Sequence, residues 1–340
     1  LTDIVQEEKY MDDSKVVELF NWMDKTTGVV QQEIDEPYLE SLAVTLEALF
    51  YGDIHEDNRA TLQEKIQIAL EEINPDEYET EDVRKAIQLT VLKGTKNVTQ
   101  QHHLMTPEAI SLFIGYLAEK LTKDRKEVRV FDPVCGTSNL LLIVMEHLKK
   151  DVKAYASEID PTLLKISLLN ANLQKKRVEY FHQDSLRPLL LDPVDLVVAD
   201  LPVGYYPDDE NASQFELRAE EGHSYSHHLF IEQSLKYTKE GGYLLFIIPE
   251  FLFESDQSEQ LRAFIQKYAH IVGLIQLPET AFTSKENRKS IFILQKKSEE
   301  TKEIKQPLLV ILPSLNDTRA MEDILVKINK WFVDNAVPFA

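Results

Sequence analysis

The sequence predicts an α/β protein: a seven-stranded, mostly parallel sheet with helices on both faces, preceded by an all-helical domain. Two changes along the chain predict this. Up to about residue 100, apolar side chains recur at every third or fourth position; from about residue 105, short apolar runs alternate with helical stretches. Length points the same way, since 340 residues exceed the roughly 250 to 300 at which a single core stops growing. Two domains are expected, residues 1–100 and 101–340.

The helical half has four stripes. Val16, Val17, Leu19, Phe20 and Met23 make the first, and Leu39, Leu42, Ala43, Leu46, Leu49 and Phe50 the second. Leu62, Ile66, Ala69, Leu70 and Ile73 follow, then Val83, Ala86, Ile87, Thr90 and Val91. Between the last two, Pro75 and the acidic stretch from Asp76 to Asp82 predict a turn and a charged helix start. In the second half the runs are Val128–Phe131, Val152–Ala156, Val178–Phe181, Leu196–Ala199, Tyr243–Ile248, Ile271–Leu277 and Ser290–Gln295, giving seven strands. Helices are predicted over Pro107–Leu121, Asn139–Lys150, Pro161–Gln174, Leu229–Thr238 and Ser258–Tyr268. A further apolar run, Leu308–Leu312, and a helix near Met321–Val333 close the chain.

Composition excludes several classes. With 43% hydrophobic and 28% charged residues the chain is neither disordered nor fibrous. No apolar run approaches the roughly 18 residues of a membrane span; the strongest is Tyr243–Pro249. A single cysteine, Cys135, rules out an internal disulfide and favours a reducing, cytoplasmic setting. Glu7, Glu8, Asp12 and Asp13 make residues 1–13 unlike a signal peptide. A net charge of −21 argues against wrapping nucleic acid unaided. The first hundred residues hold 23 acidic and 9 basic side chains, so their expected partner is a protein rather than bare DNA.

Ligands of a doubly wound sheet bind beyond the carboxyl ends of its strands, and there the chemistry concentrates. Strand one ends in Asp132-Pro133-Val134-Cys135-Gly136-Thr137-Ser138-Asn139, where a glycine lets backbone approach a ligand and a helix start offers free N–H groups. Strand two ends in Ser157-Glu158-Ile159-Asp160; Glu158 follows Asp132 by 26 residues, near the roughly 20 at which Rossmann-type folds place a ribose-binding carboxylate. Asp160, before Pro161, reads as a helix N-cap. Strands three and four end in Gln183-Asp184-Ser185 and in Asp200-Leu201-Pro202-Val203-Gly204-Tyr205-Tyr206. Four acids on one edge repel a phosphate-rich cofactor such as NAD, and the first turn lacks a full G-x-G-x-x-G. They suit S-adenosylmethionine, a sulfonium cation without phosphate.

Taken together these motifs resemble the N6-adenine DNA methyltransferases, within the class I S-adenosylmethionine-dependent methyltransferases, particularly the modification-subunit type in which a helical domain precedes the catalytic one. The likeness runs from about His102 to Lys297. Thr106-Pro107 resembles the Thr-Pro element that contacts the methionine end of the cofactor, and Asp132 to Gly136 the D-P-x-x-G loop, continued by Thr137 and Asn139. Glu158, with Ile159, resembles the ribose-binding acid, and Asp184, with Ser185, the acid at the cofactor's adenine. Asp200-Leu201-Pro202-Val203 stands in the place of the [D/N]-P-P-[Y/F] catalytic loop, and Leu277-Pro278 through Phe282 resembles the later Leu-Pro segment with its aromatic residue. The motif order is that of the gamma group. The resemblance implies Asp200 as side-chain acceptor and Leu201 as carbonyl acceptor of adenine's amino hydrogens, with S-adenosylmethionine as methyl donor.

The sequence departs from that pattern. Leu201 replaces the first proline of the loop, Val203 replaces its aromatic, and Ser138 and Asn139 stand where a second glycine is usual. Tyr205, Tyr206 or Phe282 is left to supply a stacking face, and Leu201→Pro with Val203→Tyr is expected to raise base methylation. Only 45 residues follow Gln295, so DNA recognition is expected from a separate subunit. Two alternatives stand beside the main reading: a weakened or inactive cofactor-binding scaffold, and a methyltransferase acting on a protein or small molecule. His102-His103 and His227-His228 lack clustered ligands at metal spacing and read as solvent-facing or capping residues, so no metal is expected. Cys135 reads as a small packing residue, and the Lys285–Lys289 cluster as a solvated loop within reach of a phosphate.

Overall fold

The computed structural model describes residues 13–54, 60–95, 105–282 and 287–335; the expected domain boundary at 100/101, His102-His103 and Lys285 lie outside the described residues. The predicted stripes fall on helices α1 Asp13–Ile34, α2 Tyr38–Tyr51, α3 Ala60–Leu70 and α4 Thr80–Thr95, except that Ile73 of the third lies beyond the end of α3. Leu19 and Met23 of α1, Leu42 and Leu46 of α2 and Val83 and Ile87 of α4 share one core. Trp22 Nε1 donates to the Ala69 carbonyl at 2.8 Å, pinning α1 to the end of α3. Pro75–Glu77 make one 3-10 turn capped by Asn74, and Asp82 accepts the Glu79 N–H ahead of α4 at 3.0 Å.

The second half opens with α5 Glu108–Leu121, and all seven expected strands form: β1 Glu127–Asp132, β2 Asp151–Glu158, β3 Val178–His182, β4 Val194–Asp200, β5 Thr238–Pro249, β6 Ala269–Gln276 and β7 Lys289–Lys296. The sheet has one strand more than expected. The apolar run after Pro307 pairs as β8, Leu308–Ile311, in parallel with β6. The order is β3-β2-β1-β4-β5-β7-β6-β8, and β7 runs antiparallel to β5 and β6 while the other pairings are parallel.

Helices α6 Asn139–Leu148, α7 Pro161–Leu173, α9 Ser226–Lys236, α10 Ser258–Tyr268 and α11 Thr318–Asn335 pack on the sheet, with a single turn α8 at Asp209–Ala212. Alternate strand residues face opposite cores: Val130, Val198, Leu245 and Ile293 pack with α5, α6 and α11, whereas Phe131, Val197, Phe246 and Phe292 pack with α9 and α10. α9 begins three residues before the predicted Leu229, because Ser226, His227 and His228 are buried in its first turn. Thr238, expected at its end, instead opens β5.

The strand directions position the site. β1, β2, β4 and β5 are parallel, so Asp132, Glu158 and Asp200 end at one edge. The reversed β7 starts at that edge, with Lys289 opposite Pro249. The helical half is built into the same region: Ile166 and Leu169 of α7 belong to its core. Arg84 of α4, 4% exposed, meets Glu108 at the start of α5, Glu81 at 3.5 Å and Glu146 at 4.0 Å.

Removing a buried cation leaves its acids uncompensated. Arg84→Ala is therefore expected to lower stability by about 3 kcal/mol, measured as a lower urea midpoint at unchanged m. A loss below about 0.5 kcal/mol, the range of surface substitutions, refutes the role of this contact in joining the two halves.

Candidate active site

Asp132 terminates β1 and is 2% exposed. Its Oδ1 accepts the Val134 N–H at 3.0 Å. Burial pushes its carboxyl up to about 8, opposed by the Val134 N–H and reinforced by the charges of Glu158 and Asp200. The loop beyond is held in place by a Cys135 N–H to Ser157 carbonyl bond of 3.1 Å. Gly136 (φ 53°) and Ser138 (φ 62°) both adopt left-handed backbone. Ser138, where glycine is usual, is fully buried, and its hydroxyl meets Ser167 and, at 3.1 Å, the Tyr180 hydroxyl. Those bonds hold a non-glycine residue in a conformation that costs it energy. The buried Cys135 thiol, its pKa driven up by burial, is a packing group.

A cleft lies against this loop, lined by Thr106, Asp132, Cys135, Gly136, Thr137, Asn139 and Asp200 together with Met105, Val134 and Leu140. Hydrogen bonds tie its walls together. Asn139 Nδ2 donates to the Thr106 carbonyl at 2.6 Å, and its Oδ1 accepts from Gln88 of α4. The Thr106 hydroxyl donates to Asp200 Oδ2 at 3.2 Å, and Lys289 Nζ meets Asp200 Oδ1 at 2.6 Å. The Thr137 hydroxyl, 1% exposed, has no hydrogen-bond partner among the described residues.

Glu158 closes the next strand end. Its Oε2 accepts the Gly136 N–H at 2.9 Å, while Oε1 accepts those of Ile159 and Asp160 at 2.9 and 3.0 Å. Ile159 is 63% exposed beside it, and Asp160 caps α7 through the Thr162 and Leu163 N–H groups. Asp184 stands apart from the other three acids: its carboxylate takes the Leu186 N–H and the hydroxyl of the buried Tyr206. Ser185 joins this loop to the first, donating to the Pro133 carbonyl at 2.6 Å. Asp132 and Asp200 thus line the cleft, Glu158 reaches it through Gly136, and Asp184 faces Tyr206.

The loop after β4 is anchored at Leu201, whose side chain is fully buried and whose N–H donates to the Ile247 carbonyl at 3.0 Å. A proline there loses that bond, so the expected gain from Leu201→Pro does not follow. Pro202 and Val203 are half-buried. Tyr205 is 59% exposed and stacks on Tyr225 with centroids 4.8 Å apart and planes at 18°. Tyr206 is committed to Asp184, and Phe282 packs against the core beneath α5 and α11. Of the three aromatics weighed, Tyr205 is the one that presents an open face.

Two expectations need correction. His227 and His228 are neither solvent-facing nor caps: both are buried in α9, and burial depresses their pKa values to about 3 and about 4. Among the described residues no three His, Cys, Asp or Glu groups converge as metal ligands. Nor do Arg288 and Lys289 lie in a solvated loop, since they pair with Glu279 (2.7 Å) and Asp200. The Asp200 ion pair was illegible because its members are 89 residues apart, but the rule that an antiparallel strand starts where its parallel neighbours end points to it.

No described helix is long and apolar enough to cross a membrane. Residues 17–95 match the YtxK N-terminal helical domain, and residues 93–322 match the N-6 DNA Methylase family. YtxK of Bacillus subtilis is 46% identical over 317 residues, covering 92% of this chain and 96% of the relative. A crystal structure from Listeria monocytogenes, of a proposed class I S-adenosylmethionine-dependent methyltransferase, is 43% identical with a TM-score of 0.88, covering 94% and 99% of the two chains. The methyltransferase subunit of a type I restriction-modification system from Streptococcus thermophilus has the same fold at 13% identity (TM-score 0.62; 91% and 73% covered). The acids at the sheet edge thus stand in an N6-adenine-type methyltransferase domain of the class I fold, carried behind a YtxK-type helical domain, and the chain belongs to the N-6 DNA methylase family.

Proposed function

We propose that the cleft beside Asp132 binds S-adenosylmethionine and that the chain directs its methyl group to the N6 amino nitrogen of adenine, in DNA presented by a separate recognition subunit. One observation carries this reading: a single cleft gathers Thr106, Asp132, Gly136, Thr137, Asn139 and Asp200. The residues fit the cofactor. The Thr137 hydroxyl is a buried polar group with an unmet hydrogen bond, and Asp132, once ionised, is complementary to a cation. Bound there, the cofactor supplies an electrophilic methyl group on a sulfonium.

The chain's own residues do the rest. Glu158 receives the ribose hydroxyls at the rim, and Ile159 covers the nucleoside with its exposed side chain. Asp184 and Ser185 border the adenine end, Asp184 by way of Tyr206. Asp200 accepts an amino hydrogen of the target base and the Leu201 carbonyl a second, turning the nitrogen lone pair toward the methyl carbon. Tyr205, backed by Tyr225, takes over the stacking role that Val203 lacks. We further propose that residues 1–100, which carry 23 acidic and 9 basic side chains, form a domain that receives a protein partner.

Single-stranded DNA needs no base extrusion, so it is the substrate that asks least of a recognition subunit. With labelled S-adenosylmethionine, label is expected on adenine N6 of an adenine-containing oligodeoxynucleotide, and none with Asp200→Ala. Label entering only protein or a metabolite overturns the DNA reading, and no transfer from bound cofactor supports the scaffold alternative.

Losing a charged hydrogen bond to the ribose is expected to weaken S-adenosylhomocysteine binding by about tenfold or more in Glu158→Ala, with the fold retained. Calorimetry showing unchanged affinity removes Glu158 from the site.

The pH dependence of stability follows from Asp132. Its proton is held more tightly in the folded chain than in the unfolded one, so its contribution to stability is present below about pH 4 and is lost as pH rises to about 8. Thermal melts of the ligand-free protein are expected to show wild type losing stability relative to Asp132→Asn across that window. A constant difference between the two proteins refutes this assignment.

A further inference from the structure

The Asp200–Lys289 pair lies inside the site rather than on the surface: the side chains are 19% and 11% exposed, and Nζ stands 2.6 Å from Oδ1. Asp200 also lines the cofactor cleft, and its second oxygen accepts from Thr106. A carboxylate offers about four lone-pair positions and an ammonium three N–H donors. Among the described residues, Lys289 and Thr106 take one position each on Asp200, and Lys289 spends one N–H on it. The pair therefore retains acceptors and donors next to each other. That is the complement of a planar ring bearing an amino group beside a ring nitrogen, a pattern that adenine presents at both N1 and N7 and that alkyl amines lack.

On the reading that Asp200 accepts the amino hydrogens of the target base, we infer that Lys289 donates to the ring nitrogen flanking that amino group and makes the site specific for amino-substituted heteroaromatic bases. The register of β7 supports this. Lys289 is its first residue, opposite Pro249 and adjacent to the strand pair that carries Asp200, so its ammonium is placed by the sheet rather than by a loose loop. A largely buried ammonium gives a charge-assisted hydrogen bond, stronger than a neutral one. It also keeps Asp200 from facing the base as a bare anion.

Deaza nucleosides test this directly, because 1-deaza- and 7-deaza-2′-deoxyadenosine keep the amino group but each lacks one flanking nitrogen. The protein is saturated with S-adenosylhomocysteine, so that the nucleosides do not enter the cofactor cleft, and titrated by ligand-observed NMR. Wild type is expected to bind one of the two analogues about tenfold more weakly than 2′-deoxyadenosine, the cost of a polar site left unpaired being at least that large. Lys289→Met, which keeps the stem and removes the ammonium, is expected to bind all three within about twofold. Equal affinity of wild type for the three nucleosides, or discrimination that persists in Lys289→Met, overturns the inference; the wild-type arm stands without the variant should the variant fail to fold. Failure of S-adenosylhomocysteine to bind overturns the underlying reading and this inference with it. Binding of that ligand without discrimination among the nucleosides overturns the inference alone.

Discussion

A carboxylate shut away from water is the constraint on which the rest of the site depends. Asp132 has 2% of its surface exposed, and the charges of Glu158 and Asp200 act on it from the neighbouring strand ends. Parallel strands bring this about: strands running in one direction deliver their final residues to one edge, and at β1, β2 and β4 those residues are acids. The protein answers the repulsion locally, with backbone N–H groups for Asp132 and Glu158 and with Lys289 for Asp200. Each answer also orders a loop. Glu158 fixes Gly136, and Lys289 fixes the start of the β4 loop.

Departures from the family pattern are absorbed by local packing and hydrogen bonds. Ser138 keeps the left-handed backbone that a glycine adopts freely, held there by Ser167 and Tyr180 in a buried hydroxyl cluster. Leu201 gives the β4 loop an apolar anchor and a backbone bond to β5 where a proline would give rigidity. Two residues after Val203, Tyr205 stacks on Tyr225. Leu201 thus ties the altered loop to the core, and a reversion to proline there acts against that packing.

Much of this was legible in the sequence for a simple reason. Buried parallel strands read as apolar runs, unbroken in β4 and interrupted once each by Arg129 in β1 and Lys153 in β2, and each of the three runs is followed within two residues by its acid. Legibility failed where a property belongs to tertiary context. Leu308–Ile311 is recognisable as apolar but counts as a strand only because β6 offers it an edge. His227 and His228 have the composition of surface residues, and only the packing of α9 buries them. The Tyr206 hydroxyl that Asp184 accepts lies 22 residues away in sequence, and Lys289 looks like one cation in a basic loop until the reversal of β7 delivers it to Asp200.

Gln88 gives the helical half a direct place in the catalytic one. From its amide a relay of hydrogen bonds passes through Asn139 to the Thr106 backbone, and the Thr106 hydroxyl ends on Asp200. α4 thereby props the far wall of the cleft, as a keystone props an arch that is not its own. A catalytic fragment cut free of α4 loses that prop at Asn139 and uncovers Ile166 and Leu169 as well. Anything that tilts helices α1 to α4, a docked protein included, pulls through this relay on Asp200.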